Sequence, residues 1–408
     1  MTDVILTINA GSSSIKFAAY EIGTDSLRAV ARGLLDDIGD QTTFTAGPAD
    51  GPSERQPIAA SKGSVDHRAA LDLAVDWLRC HEEGCHVVAV GHRVVHGGPD
   101  HAEPVVIDDG TLNALRKFVP LAPLHQPHNL AGIEAALHAF PEASQVACFD
   151  TAFHRQHPFV ADTFGLPRRF YDEGVRRYGF HGLSYEYLSR RLRTIAPALA
   201  SGRVIIAHLG NGASVCALRD GRSVASTMGF TALDGLPMGT RCGQLDPGVV
   251  LYLLTERGMS ADEITHLLYH DSGLKGLSGV SNDMRELEAS QTPEARQAIE
   301  YFVARVRREI AGLAATIGGV DGIVFAGGIG EHAWQIREQI LGDMAWLGVA
   351  LDPVANANNA QRVSRPDSRV ALLVIPTDED RMIAEHTAEI LGLMHGPADP
   401  MLLTRLPA

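Results

Sequence analysis

The sequence predicts an α/β protein of two domains, and three observations carry that reading. At 408 residues the chain exceeds the size at which one hydrophobic core stops growing. Two strand–turn–strand segments about 200 residues apart, "ILTINAGSSSIKFAAY" and "VIIAHLGNGASVCAL", look alike: each ends an apolar strand in Asn, Gly, Ala and Ser and then re-enters an apolar strand. Later in the chain, "GIVFAGGIGEH" and "VALLVIPTDEDRMIAEHTAEIL" both run strand, turn, helix.

In chain order, "DVILTI" (3–8) reads as a buried strand, and "IKFAAYEI" continues as a strand because its apolar residues lack a helical period. Residues 39–64, rich in Gly, Pro, Ser, Thr and Asp, read as an irregular surface region. An amphipathic helix is expected over 67–80, and "HVVAVGHRVVHGG" (86–98) as a strand entering a glycine turn. "QVACFDTAFH" (145–154) is a short strand ending in Asp150, where α/β enzymes place reactive carboxylates. Residues 202–224 read as a hairpin, with Asn211-Gly212 as its turn signal. Thr292 caps a long helix that opens on Pro293 and stops at Gly318-Gly319. The helix after "FAGGIG" is expected to begin near Glu331.

Composition narrows the function. Hydrophobic residues at 45% and charged residues at 21% are ordinary for a globular protein, and no run approaches the roughly 20 apolar residues of a membrane span. Without a basic, apolar leader the expected location is the cytoplasm. A net charge of −14 with no Lys/Arg block argues against nucleic acid and anionic membranes as partners. An anionic substrate must then be held by local arginines and backbone N–H groups. Five cysteines without CxxC spacing read as free thiols. Zinc is weakly suggested by the clusters "GHRVVHGGPDH" and "LHQPHN", which lack HExxH and are broken by Gly and Pro.

The opening loop fails the P-loop pattern, because "GSSSIK" has no glycine beside Lys16 and leads into a strand. A Gly/Ser hairpin can still offer N–H groups and hydroxyls to a phosphate, or it can be an ordinary turn. "FAGGIGEH" has the composition of a nucleotide-contacting turn, with a helix N-terminus that favours anions, although glycine turns usually only turn. Arg93 and Arg241, each in a Gly-flanked segment, could grip a phosphoryl or carboxylate, or pair on the surface. His181 could meet a phosphoryl group or pack at a helix start. Asp150 and Glu379 suit Mg²⁺, or helix first turns. No single motif decides.

Their order does. "TINAGSSSIKF", "GHRVVHGG", "LAPLHQPHNL", "FDTAFH", "RYGFHG", "HLGNGAS", "MGTRCGQLDPG", "FAGGIGEH" and "PTDEDRMIA" together closely resemble the acetate kinase family, from about residue 4 to about residue 392. The resemblance implies the actin-like and sugar-kinase ATPase superfamily: two duplicated ribonuclease H-like βββαβαβα domains around a central cleft. It implies an acyl-substrate-side domain of residues 1–150 with 376–408 and a nucleotide-binding domain of residues 151–375. Also implied are reversible transfer of the ATP γ-phosphoryl to acetate, Mg²⁺ (or Mn²⁺ in its place), and a homodimer.

By the same resemblance, Asn9, Asp150 and Glu379 serve the metal. Arg93 and Arg241 hold the acetate carboxylate and the phosphoryl oxygens, and His181, supported by His125, stabilises the transferring group. Val95, Leu124 and Phe180 wall the methyl pocket. Lys16, His208, Gly210, Asn211 and Gly212 face the ATP phosphates, and Gly327, Gly328, Ile329, Gly330 and Glu331 flank the adenosine. An acid substrate fits this set: acetate is already anionic at neutral pH, so the task is to offset repulsion and align two anions, with no base required. Gln126, Gln244, His332 and Asp378 depart from the family pattern beside these residues. Ala232 stands where proline is common, and a smaller wall there would admit propionate. The rival readings are a propionate or butyrate kinase, a hydroxyl-directed kinase of the superfamily, and a non-enzymatic ATP-driven protein. Residues 395–408 lie beyond the resemblance.

Overall fold

A computed structural model of the chain describes residues 2–11, 14–24, 26–39, 42–58, 65, 67–81, 85–123 and 125–394. They fall into two compact units: one takes the described residues up to Ala152 and from Asp378 on, and the other is Phe153–Thr377.

The first unit is built on β1 (Thr2–Ala10), β2 (Ile15–Ile22), β3 (Leu27–Asp36), β4 (Thr43–Pro48), β5 (Glu54–Pro57), β6 (Cys85–Val94), β7 (Val105–Val106) and β8 (Ser144–Phe149). They form one sheet in the order β5-β4-β3-β2-β1-β6-β8-β7. Short turns make β1 to β5 antiparallel, whereas the helices His67–His81 and Gln126–Ala139 intervene before β6 and β8, which lie parallel to β1 and β6 respectively. Both faces are covered. Leu6, Ile8, Phe17 and Phe44 pack with Ala70, Leu71 and Ala74 of the helix His67–His81 on one side. On the other, Ile5, Ala18, Tyr20 and Ala89 meet Ala384 and Ala388 of the C-terminal helix Glu379–Leu391. Burial on two faces is why "DVILTI" shows no alternation.

The second unit repeats this plan with β9 (Arg203–Leu209), β10 (Ala213–Arg219), β11 (Arg222–Ser226), β12 (Gly322–Ala326) and β13 (Ala371–Val374). Their order is β11-β10-β9-β12-β13, antiparallel through β9 and parallel beyond it. It matches β3-β2-β1-β6-β8 strand for strand, so the resemblance of the two hairpins in sequence reflects a duplicated topology. The long helix Pro293–Thr316 is capped by Thr292, whose side chain accepts from the Ala295 N–H. It runs out at Gly318 and Gly319, both at positive φ.

Three expectations need correction. Residues 39–64 are not wholly irregular, because β4 and β5 lie within them. On so exposed an edge only Phe44, Ala46 and Gly47 of β4 are buried, so the period-2 signal is faint. Asn211-Gly212 does mark the hairpin turn between antiparallel β9 and β10, but not with the two-residue geometry such a pair favours. The link from β9 to β10 is Gly210–Gly212, and none of the three has positive φ. The turn with both central residues left-handed is Asp220-Gly221, between β10 and β11 (φ 54° and 74°). The helix after β12 starts at Gly327 rather than near Glu331, which belongs to that first turn.

Among the described residues no helix is long and apolar enough to cross a membrane. The described cysteines Cys85, Cys148, Cys216 and Cys242 carry free thiols.

Gly91 is where β6 meets the C-terminal helix. A Cβ there would collide with Thr387 Oγ1 and stand 2.6 Å from Ile383 Cγ2. Gly91→Ala is expected to destabilise the first unit by about 2 kcal/mol through overpacking. Thermal denaturation checks this, and an unchanged Tm would show that the helix yields without cost.

Candidate active site

The residues singled out from the sequence lie in two clusters, one in each unit, at or near the ends of parallel strands.

In the first unit, β1, β6 and β8 are adjacent and parallel, so Asn9, Arg93 and Asp150 come out side by side. Arg93 Nε donates to both Asp150 oxygens at 3.1 Å, Nη2 donates to Oδ2 at 2.6 Å, and Nη1 donates to Asn9 Oδ1 at 3.0 Å. One N–H on each terminal nitrogen remains beyond these bonds. Burial works against the charge on Arg93, but Asp150, Glu379 and Asp380 outweigh it and its pKa rises. Burial also pushes the Asp150 carboxyl up, against the pull of Arg93. With three donor nitrogens of the guanidinium engaged, two of them on Asp150 itself, the pair stands as an ionised, charge-assisted one. Arg93 sits at the end of β6, the strand expected over 86–98, and is anchored on Asp150.

Around this pair, Asn129 accepts from the Val95 N–H at 2.9 Å and donates to the Ala10 carbonyl at 2.7 Å. It thereby joins the end of the first hairpin to the end of β6. Val95 is buried. His125 is the N-cap residue of the helix Gln126–Ala139, but its side chain makes no capping bond. Leu124 lies outside the described residues. Lys16 is exposed and pairs across the hairpin with Asn9. Glu379 opens the C-terminal helix, whose N-cap Asp378 accepts from the Arg381 N–H and pairs with Arg32 at 3.2 Å.

The histidines of the two motifs have individual partners. His92 Nε2 bonds Gln145, His96 Nδ1 accepts from the Gly98 N–H, and the His101 ring stacks on Phe149 at 5.0 Å. The departure residue Gln126 is buried and bonds the His96 N–H, the His96 carbonyl and the Leu115 carbonyl, which makes it structural.

In the second unit, His181 holds φ of 58° at the N-cap of the helix Gly182–Ile195, yet its side chain does not cap the helix. Its Nδ1 meets Ser214 Oγ at 2.8 Å, and its ring stacks on His208 with centroids 4.4 Å apart. His208 Nδ1 bonds Ser184 Oγ at 2.8 Å. Phe180 is buried, and its carbonyl bonds His154 Nε2. The Arg241 loop is pinned from below: Leu274, Lys275 and Ser272 N–H groups donate to the Met238, Gly239 and Thr240 carbonyls. Gly273, at φ +62°, permits this approach, since a Cβ there would strike the Met238 and Arg241 backbones. Arg241 Nη1 donates to the Ala232 carbonyl at 3.1 Å. Gly239 N–H donates to the Asn211 carbonyl, and a Cβ on Gly239 would collide with Asn211 Oδ1. The Arg241 loop and the second hairpin are thus seated on each other. The departure residue Gln244 ties this segment to the helix Pro293–Thr316 by accepting from Arg305 and Arg308.

A cavity of about 570 Å³ in this unit is lined by Gly210, Asn211, Gly328 and Ile329, together with Asn282–Arg285 and the departure residue His332. Sequence reading missed residues 282–285. Its only local signal was an acid before a short helix, and Asp283 does cap Met284–Ala289 by accepting from the Arg285 N–H. His208, Gly212, Gly327, Gly330 and Glu331 are not in this lining. Glu331 Oε1 accepts from the Gly327 and Thr377 N–H groups, so a side chain of the chain itself already supplies negative charge at the start of that helix. Gly328 and Ile329 of the same turn face the cavity instead.

The chain matches the model of the acetokinase family over residues 4–385. It is 58% identical to an acetate kinase of Methylocella silvestris, with 97% of this chain and 99% of that protein covered. It is 55% identical to an acetate kinase of Nitrobacter hamburgensis, covering 95% and 96%. Among solved structures it resembles Porphyromonas gingivalis acetate kinase (TM-score 0.85, 35% identity, 95% and 100% covered). It also resembles a propionate kinase from Francisella tularensis subsp. tularensis (TM-score 0.87, 36% identity, 95% and 99% covered).

Burial pushes His154 down to about 4 and His157 down to about 2. Both rings bond Ser223 Oγ. Each then takes up a proton only on unfolding, so stability is full above about pH 6.5 and falls as the pH drops from there towards 4. Urea denaturation at a series of pH values checks this. The fall is expected to weaken in His157→Gln, and a midpoint flat down to pH 4 would contradict it.

Proposed function

The chain belongs to the acetokinase family, and on that premise we propose that it is an acetate kinase, a phosphotransferase with a carboxylate acceptor that interconverts ATP and acetate with ADP and acetyl phosphate. The single observation that carries the mechanistic reading is the Asn9–Arg93–Asp150 cluster, a half-buried guanidinium fixed on a buried carboxylate with N–H donors to spare.

In this reading the unit holding Arg93 serves the acyl substrate, and the unit Phe153–Thr377 serves the nucleotide. Arg93 offers its remaining N–H donors to the acetate carboxylate, and Val95, Leu124 and Phe180 are the residues assigned to the methyl group. An acetate oxygen attacks the γ-phosphorus, the bond to the ADP oxygen breaks, and no proton need move because the acid is already ionised. Arg241 and His181, aided by His125, offset charge on the phosphoryl oxygens in flight. Gly210, Asn211 and Gly212, with His208 and Lys16, meet the ATP phosphates. The cavity bounded by Gly328, Ile329 and Asn282–Arg285 takes the nucleoside.

The donor set fits Mg²⁺, or Mn²⁺ in its place. Asp150, Glu379 and Asn9 are hard oxygen donors. Glu379 acts electrostatically on both Asp150 and Arg93, so the two carboxylates stand near each other, as an ion bound by one or two carboxylates and substrate phosphates requires. When bound, the ion supplies neutralisation of phosphate charge. We place the protein in the cytoplasm, where its free thiols stay reduced.

A homodimer is also proposed. The helix Pro247–Thr255, "PGVVLYLLT", has no buried residue, and Leu251 is 61% exposed beside Val249, Tyr252 and Leu254. So apolar a surface helix calls for a cover, and a second copy of the chain supplies it.

Trapping of acyl phosphate with hydroxylamine tests the activity. ATP-dependent product is expected with acetate, less with propionate and little with butyrate or sugars. A sugar preference would overturn the reading, and equal use of propionate would favour the propionate kinase alternative. Asp150→Asn leaves Arg93 buried without its counter-ion and is expected to lower kcat about 100-fold; near-normal turnover would sink its assignment. For the dimer, light scattering is expected to show two copies for the native chain and one for Leu251→Glu/Leu254→Glu. A monomeric native chain would refute it.

A further inference from the structure

We propose that Tyr185 and Ser214 are positioning residues that set the tautomer of His181, holding its ring with the proton on Nε2. The inference rests on the reading of His181 as the imidazole that meets the transferring phosphoryl group.

The argument is a count of protons along a buried chain. Tyr185 and Ser214 are both fully buried, one on the helix Gly182–Ile195 and the other on β10. Tyr185 Oη lies 2.5 Å from Ser214 Oγ, which lies 2.8 Å from His181 Nδ1. Burial pushes the Tyr185 phenol well above its ordinary value, so it keeps its single proton and must donate it. The other group against its oxygen is the His208 backbone N–H, which can only donate. The phenol proton therefore goes to Ser214 Oγ.

The Ser214 hydroxyl, already accepting from Tyr185, has its own proton to place, and its other partner is His181 Nδ1. Nδ1 is thereby the acceptor, and the neutral ring carries its proton on Nε2. That nitrogen faces the second hairpin, since a Cβ on Gly212 would stand 3.0 Å from it. The tautomer matters because an N–H at Nε2 donates to an anionic phosphoryl oxygen, whereas a bare Nε2 would present a lone pair to it. Stacking on His208 fixes the ring plane, and the hydroxyl relay fixes which nitrogen is the donor. His181 does not cap its own helix, which leaves the ring available to the relay.

The test uses the full-length protein with ¹⁵N-labelled histidine, read by long-range ¹H–¹⁵N spectra, with the His181 signals assigned by their loss in His181→Gln. In the native chain the neutral His181 ring is expected to show a protonated Nε2 and a bare Nδ1. Tyr185→Phe frees Ser214 to accept as well as donate, so the signals are expected to move towards a mixture of tautomers. In acetyl phosphate formation, Tyr185→Phe and Ser214→Ala are each expected to lower kcat about tenfold, with KM for ATP and acetate changed by no more than about twofold. On a His181→Gln background neither should cost anything further. A protonated Nδ1 in the native chain, or undiminished losses on the His181→Gln background, would overturn the proposal. Wild-type turnover in His181→Gln would instead remove His181 from the transfer step, and the spectra would still decide the relay.

Discussion

The first unit depends on one interaction, the pair of buried Asp150 and half-buried Arg93 with Asn9 on its other side. It closes across the ends of three neighbouring strands and puts two opposite charges where neither could remain alone, since a lone buried ion costs several kcal/mol. The pair therefore requires β1, β6 and β8 to keep their order and register, which means the crossover helices must seat correctly. Gly91 lets β6 sit against the C-terminal helix, and that helix brings Glu379 into the electrostatic field of Arg93. Folding and function make the same demand on this cluster. A guanidinium held at fixed orientation is a better oxyanion partner than a mobile one, because its ordering is complete before substrate arrives.

The second unit reaches a comparable end by backbone means. Its duplicated sheet again brings three parallel strands together, but two of them, β9 and β12, end in glycine-rich turns rather than in an ion pair. Order comes from close backbone approach: Gly239 against Asn211, Gly273 against the Arg241 loop, Gly212 against His181. Each is a place where a Cβ would intrude. These glycines act as spacers that let side chains with chemical work be packed tightly. The same strand order thus supports a charged grip in one unit and an arrangement of N–H groups and imidazoles in the other.

Much of this was legible in the chain. The apolar runs, the Thr292-Pro293 start and the Gly318-Gly319 stop act locally and mark the same elements in the structure. What was missed was non-local or marginal. β4 and β5 are an exposed edge with little apolar content to betray them. Asn211-Gly212 marks a hairpin turn, yet the left-handed pair is Asp220-Gly221, and the Asn211 carbonyl is instead bonded by the distant Gly239 N–H. Glu331, expected beside the adenosine, accepts from the Gly327 N–H of its own turn, a bond that no local pattern announces. Asn282–Arg285 carry only the pattern of a helix cap, so their place on the cavity wall follows from packing alone.

By itself, the sequence determined which residue types stand where the chain turns, and so the class of chemistry: arginines, imidazoles and hydroxyls for anions, carried by strands whose apolar runs compel burial. Only the tertiary structure decided how those groups are used. That Arg93 spends part of its donors on Asp150 and Asn9, and that the His181 ring leans on Ser214 and through it on Tyr185, depends on residues 29 to 84 positions apart in the chain. Hydrogen bonds of that range leave no periodicity or local propensity to read. They exist only once the sheet has set its strands side by side.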